Sequence, residues 1–112
     1  MFMYLKYNFF TFYLVLVSFP IMSSNIIVPN EETLEKPFPL PYERIDLSEN
    51  DLIGFIDNAI KNSKQPVFIF GANWCPDCRI LSAVLDLQTV KEFMNENYEI
   101  LYIDLGRYDI NM

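Results

Sequence analysis

Two continuous apolar runs constrain this chain more than any other feature: Val67-Phe68-Ile69-Phe70 and Ile100-Leu101-Tyr102-Ile103. Neither alternates apolar with polar residues, and both are rich in β-branched and aromatic side chains. Such runs suit strands buried on both faces, as in a parallel sheet covered by helices. Just under thirty residues separate them, enough for the helical crossover that parallel neighbours need. The expected fold class is therefore α/β, built on a β-α-β unit with parallel strands.

The residues around these runs read as helices. Ser48, with Asp51 three positions on, is a capping-box variant in which Asp takes the usual place of Glu or Gln. Leu52, Ile53, Ile56, Ala59 and Ile60 then recur at helical spacing, while Asp57, Asn58 and Lys61 fall on the polar face. Asn62-Ser63-Lys64-Gln65-Pro66 ends that helix. A second helical pattern carries Ile80, Leu81, Val84, Leu85 and Leu87; a further helical set, Val90, Phe93 and Met94, follows Gln88-Thr89, until Asn95-Glu96-Asn97 breaks the periodicity. Tyr42–Leu47 is expected to form a short edge strand.

Between the first run and the second helix lies Gly71-Ala72-Asn73-Trp74-Cys75-Pro76-Asp77-Cys78, which holds both cysteines and the sole tryptophan. Disulfide exchange needs a thiolate to attack and a second thiol to resolve the mixed disulfide. A helix start supplies unpaired N–H groups and the positive end of the helix dipole, both of which favour an anion. A cysteine so placed commonly titrates between about 3.5 and 7.5. Cys75 is thus the candidate attacking thiol, and Cys78, one turn on and expected to be better covered, the resolving one. Pro76 suits the first turn, where its missing N–H costs nothing. Asp77 favours the helix but repels a neighbouring thiolate, which points to a less oxidising pair. Trp74 is expected either to shield the thiols and contact a partner chain or simply to pack in the core.

Composition narrows the alternatives. The chain has 112 residues, 52% of them hydrophobic and 21% charged, room for one domain at most. A net charge of −7 without a basic cluster argues against nucleic acid or an anionic membrane surface as a partner. Histidine is absent and there are two cysteines, too few for a disulfide-stapled scaffold or for a closed zinc site within one chain.

The first 24 residues differ from the rest. Lys6 precedes an apolar stretch from Phe9 to Met22, followed by Ser23 and Ser24, the layout of a signal peptide. The stretch is shorter than the roughly 20 residues of a spanning helix. Residues 1–24 are therefore expected to direct export, with cleavage, or to remain as an N-terminal anchor, the chain's only expected membrane attachment. Residues 25–41 carry Pro29, Pro37, Pro39 and Pro41 with Glu31, Glu32 and Glu35, and read as an extended, solvated linker. Residues 42–112 form the expected domain.

From Val67–Phe70, through Ala72-Asn73-Trp74-Cys75-Pro76-Asp77-Cys78 and the following helix, to Tyr102-Ile103-Asp104, the chain resembles the thioredoxin superfamily. Among its members the resemblance is to exported bacterial proteins with a Trp-Cys-x-x-Cys site, and it covers about residues 42–106. It implies thiol–disulfide exchange with exported protein substrates in the periplasm, with no metal or organic cofactor. The partners it implies are protein thiols and disulfides, with an upstream thiol reductase. It implies a thioredoxin-like fold, but an incomplete one. The family's buried acid, six residues before the first cysteine, is Ile69 here. The last proline is Pro76, so the family's later cis-proline has no counterpart. The antiparallel hairpin and final helix of the family lie beyond Met112, which suggests a truncated product. A thioredoxin-like binding or carrier module, with the cysteines idle or holding a metal shared between chains, and an inactive fragment are the competing readings.

Overall fold

The computed structural model describes residues 25–112; the expected signal or anchor at residues 1–24 lies outside them. Five elements follow in order: α1 (Glu49–Lys61), β1 (Gln65–Gly71), α2 (Pro76–Leu85), α3 (Gln88–Asn97) and β2 (Tyr98–Asp104). β1 and β2 pair in parallel, in a register running from Gln65 opposite Tyr98 to Gly71 opposite Asp104. Both strands extend beyond their apolar runs. Pro66, expected to end the preceding helix, is the second residue of β1, near the strand's start, where a missing N–H is tolerated.

Because strand side chains alternate between faces, Ile69 and Gly71 of β1 share a face with Tyr98, Tyr102 and Asp104 of β2. Phe68 and Phe70 share the other with Leu101 and Ile103. α1 covers the second face, with the Phe55 ring 5.4 Å from that of Phe68. α3 reaches the first face, where Phe93 meets Tyr98 at 6.0 Å. The apolar core is small: Tyr42, Ala59, Ala72, Ala83 and Ile103 are buried, and Phe70 near the end of β1 is 58% exposed.

α1 begins where its sequence directs. Ser48 is its N-cap and accepts from the Asp51 amide, while the Asp51 carboxylate accepts from the Ser48 amide at 2.9 Å and its hydroxyl at 2.6 Å. These bonds hold the Asp51 carboxyl below its ordinary value of 3.8.

Two local expectations are corrected. Tyr42–Leu47 is not an edge strand but an extended segment whose backbone is satisfied by side-chain amides. Asn73 brackets Tyr42, taking its N–H at 3.1 Å and donating to its carbonyl at 2.7 Å. Asn111 accepts from the Leu47 N–H at 2.7 Å and donates to the Ile45 carbonyl at 2.8 Å. With these groups taken, no ladder forms. Likewise the Asn95-Glu96-Asn97 break does not stop α3, because the Asn97 side chain donates to the Phe93 carbonyl at 2.8 Å and the helix runs through Asn97.

Residues 25–41 carry no helix or strand, in keeping with their prolines, yet they are fastened to the domain. Arg79 of α2 donates to the carbonyls of Phe38 (2.8 Å) and Pro39 (3.3 Å). The Glu32 carboxylate accepts from the Thr89 amide at 3.1 Å and from its hydroxyl. Leu87, the N-cap of α3, makes no side-chain cap of its own, so Glu32 serves that helix start from a distant part of the sequence.

Ser48→Ala removes one half of the capping box and lowers the melting temperature by about 5 °C at neutral pH, measured by circular dichroism. Asp51 is depressed in the folded state, so its contribution is full above about pH 4 and is lost as pH falls through the lowered value. The gap between parent and variant therefore narrows in acid, down to the part carried by the Asp51 amide on the Ser48 Oγ; a gap constant to pH 2 would contradict this assignment.

Candidate active site

β1 ends at Gly71, and the chain turns through Ala72-Asn73-Trp74 into α2. The Cys75 amide closes that turn on the Ala72 carbonyl at 3.1 Å. Cys75 is the N-cap of α2, with extended backbone (φ −82°, ψ 115°), and Pro76 is the first helical residue. The Cys75 Sγ accepts from the Cys78 N–H at 3.4 Å, as a capping oxygen would. The first turn thus brings Cys75 and Cys78 together as free thiols, both partly exposed.

Their environments differ. Hydrogen bonding from the Cys78 thiol, then from the Cys78 amide, lowers Cys75 from the ordinary thiol value; burial and the Asp77 charge oppose this. Burial raises Cys78, and its donation to Cys75 adds to the rise. Asp77 and Pro76 are exposed on the first turn of α2. Trp74 is half exposed and so is not a core residue. Its indole Nε1 donates to the Gly106 carbonyl at 2.6 Å, and its ring meets Tyr108 edge-on at 6.1 Å. Gly106 adopts φ +56°, a conformation that favours glycine, with its own N–H on the Asp104 carboxylate at 2.9 Å. The loop after β2 is thereby fixed beside the thiols.

Three neighbours escaped the sequence reading as site residues. Gly71 is one: a Cβ built there would lie 2.5 Å from the Tyr42 hydroxyl and 2.8 Å from the Cys78 Sγ, so only glycine leaves room for both. Tyr42 is the second, 4% exposed and stacked edge-on against Tyr102 at 5.3 Å. Asn73, which holds the Tyr42 backbone, is the third. A glycine closing a buried strand is a usable signal of close approach; a tyrosine more than thirty positions upstream of the thiols gives none. Among the described residues, no group of three or more His, Cys, Asp or Glu side chains is arranged to hold a metal ion.

No protein-family model matches the chain, and no curated protein matches it. A solved structure does: the disulphide isomerase from Xylella fastidiosa Temecula1, at 30% sequence identity and a TM-score of 0.57, over 63% of this chain and 54% of that one. The fold is thioredoxin-like and incomplete. The described residues supply two parallel strands and three helices, and the chain spans about half the length of the isomerase.

The unequal surroundings of the two sulfurs have a direct readout. A short iodoacetamide pulse on the reduced chain at pH 7 should alkylate Cys75 at least about tenfold faster than Cys78, as read by peptide mass spectrometry. Equal labelling, or Cys78 first, would contradict the geometry.

Proposed function

We propose that this chain is a thiol–disulfide oxidoreductase in which Cys75 attacks and Cys78 resolves. The observation that carries the reading is the Cys75 Sγ at the N-cap of α2, accepting from the Cys78 amide at 3.4 Å. The Cys75 thiolate attacks one sulfur of a substrate disulfide, and the departing sulfur leaves with the bonding pair and takes up a proton. Cys78, deprotonated, then attacks the Cys75 Sγ. The Cys75–substrate bond breaks, the Cys75–Cys78 bond forms, and two electrons have passed from the dithiol to the substrate.

The isomerase's name supports disulfides as the substrate class. The Asp77 amide helps to hold the Cys75 thiolate, while the Asp77 carboxylate opposes it and favours a reductant or isomerase over a strong oxidant. Trp74, held half exposed beside Cys75, offers an apolar contact to an incoming chain. The signal-like residues 1–24 favour exported substrates in the periplasm, with membrane retention the outcome if they are not removed. A dithiol that reduces its substrates must itself be regenerated, so an upstream thiol reductase belongs to the reading.

Cys75→Ser abolishes insulin disulfide reduction, and Cys78→Ser accumulates mixed disulfides that separate on non-reducing gels. Turnover that survives Cys75→Ser would reject the proposal.

A further inference from the structure

The Tyr42 hydroxyl is the one buried side-chain polar atom among the described residues without a hydrogen-bond partner. Such groups are costly in a folded chain. This one is held in place: Asn73 grips the Tyr42 backbone from both sides, Tyr102 packs edge-on against its ring, and Gly71 leaves the hydroxyl its space. The same space on Gly71 admits the Cys78 Sγ. The hydroxyl and the resolving thiol are thus lodged on one backbone atom, close enough to influence each other's titration, without a hydrogen bond of normal geometry between them in the dithiol state.

We propose that Tyr42 is the hydrogen-bond donor to the Cys78 thiolate, positioned to stabilise the anion at the moment it resolves the mixed disulfide. The inference rests on the oxidoreductase reading above. Burial and the neighbouring Cys78 charge push Tyr42 up to about 12, so it keeps its proton at working pH and acts as a donor rather than a base. The Cys78 proton passes to solvent. The thiolate then attacks the Cys75 Sγ, and the substrate sulfur leaves with the electron pair and is protonated from water; Tyr42 is unchanged at the end. The other titratable groups around Cys78 are Cys75 and Asp77 at the start of α2, with Tyr102 behind Tyr42 and Asp104 opposite Gly71 on β2. Ile69, on the same face of β1, offers no proton-handling group.

Tyr42→Phe keeps the ring and its packing on Tyr102 and removes only the donor. The test is the pH dependence of iodoacetamide alkylation of Cys78, measured in the full chain carrying Cys75→Ser, with and without Tyr42→Phe. Losing a hydrogen bond to a charged group should move the Cys78 midpoint up by about one pH unit, a tenfold loss of thiolate at neutral pH. The remaining thiolate is more nucleophilic, so with Cys75 present the mixed disulfide should resolve about threefold more slowly at pH 7. Above both midpoints the Phe variant should become the faster. A Cys78 midpoint that stays put or falls would overturn the proposal.

A second measurement avoids the substitution. With tyrosine carrying 13C at Cζ in the Cys75→Ser chain, the Tyr42 resonance should shift with the Cys78 titration; no response there would overturn the proposal. Neither readout requires turnover. A chain that shows the Cys78 shift yet reduces no disulfide keeps the Tyr42 assignment and loses the oxidoreductase reading.

Discussion

The meeting of a helix start with the end of a parallel strand is the constraint on which the rest of this structure depends. Four residues separate the end of β1 from the start of α2, and a helix start has N–H groups to spare. Here a sulfur takes the capping position usually held by an oxygen, and so gains a partner for its negative charge. The sheet sets that helix in place, and the loop after β2 is brought against it through the Trp74–Gly106 hydrogen bond. An exposed Asp77 on the same turn works against the thiolate, so two opposed electrostatic influences act on one atom. Surface charge is weakly felt through water, and the local hydrogen bonds outweigh it.

Much of this was legible in the sequence because its causes are local. The two apolar runs announce the parallel strand pair through composition, although the pair is less buried than they suggest, since no residue of β1 is buried, and Ser48 with Asp51 marks a helix start within four residues. The dithiol pattern places itself on a helix start through Pro76. What was not legible arises from partners distant in sequence. Tyr42–Leu47 has the composition of an edge strand, but Asn73 and Asn111 occupy its backbone groups. Residues 25–41 look like a free linker because prolines forbid regular structure, yet Arg79 and Glu32 fasten them. Side-chain-to-backbone bonds spanning more than thirty positions leave no periodic trace in a sequence.

The same distinction applies within the site. Cys75, Cys78, Trp74, Pro76 and Asp77 form one contiguous stretch and could be named from spacing. Gly71 and Tyr42 matter through a shape, the space left by a missing Cβ. The lightly covered second face of the sheet belongs here too: Phe70 lies 58% exposed one residue before Gly71. The thiols are therefore carried by a small scaffold whose rigidity comes as much from polar ties as from apolar burial.

The balance between a stabilised Cys75 thiolate and an opposing Asp77 is tested most directly by the equilibrium between the Cys75–Cys78 disulfide and glutathione. One intramolecular disulfide should form, with a potential more negative than about −180 mV, on the reducing side of the value typical of protein disulfide isomerase. A potential near about −120 mV, that of a strong oxidant, would contradict it.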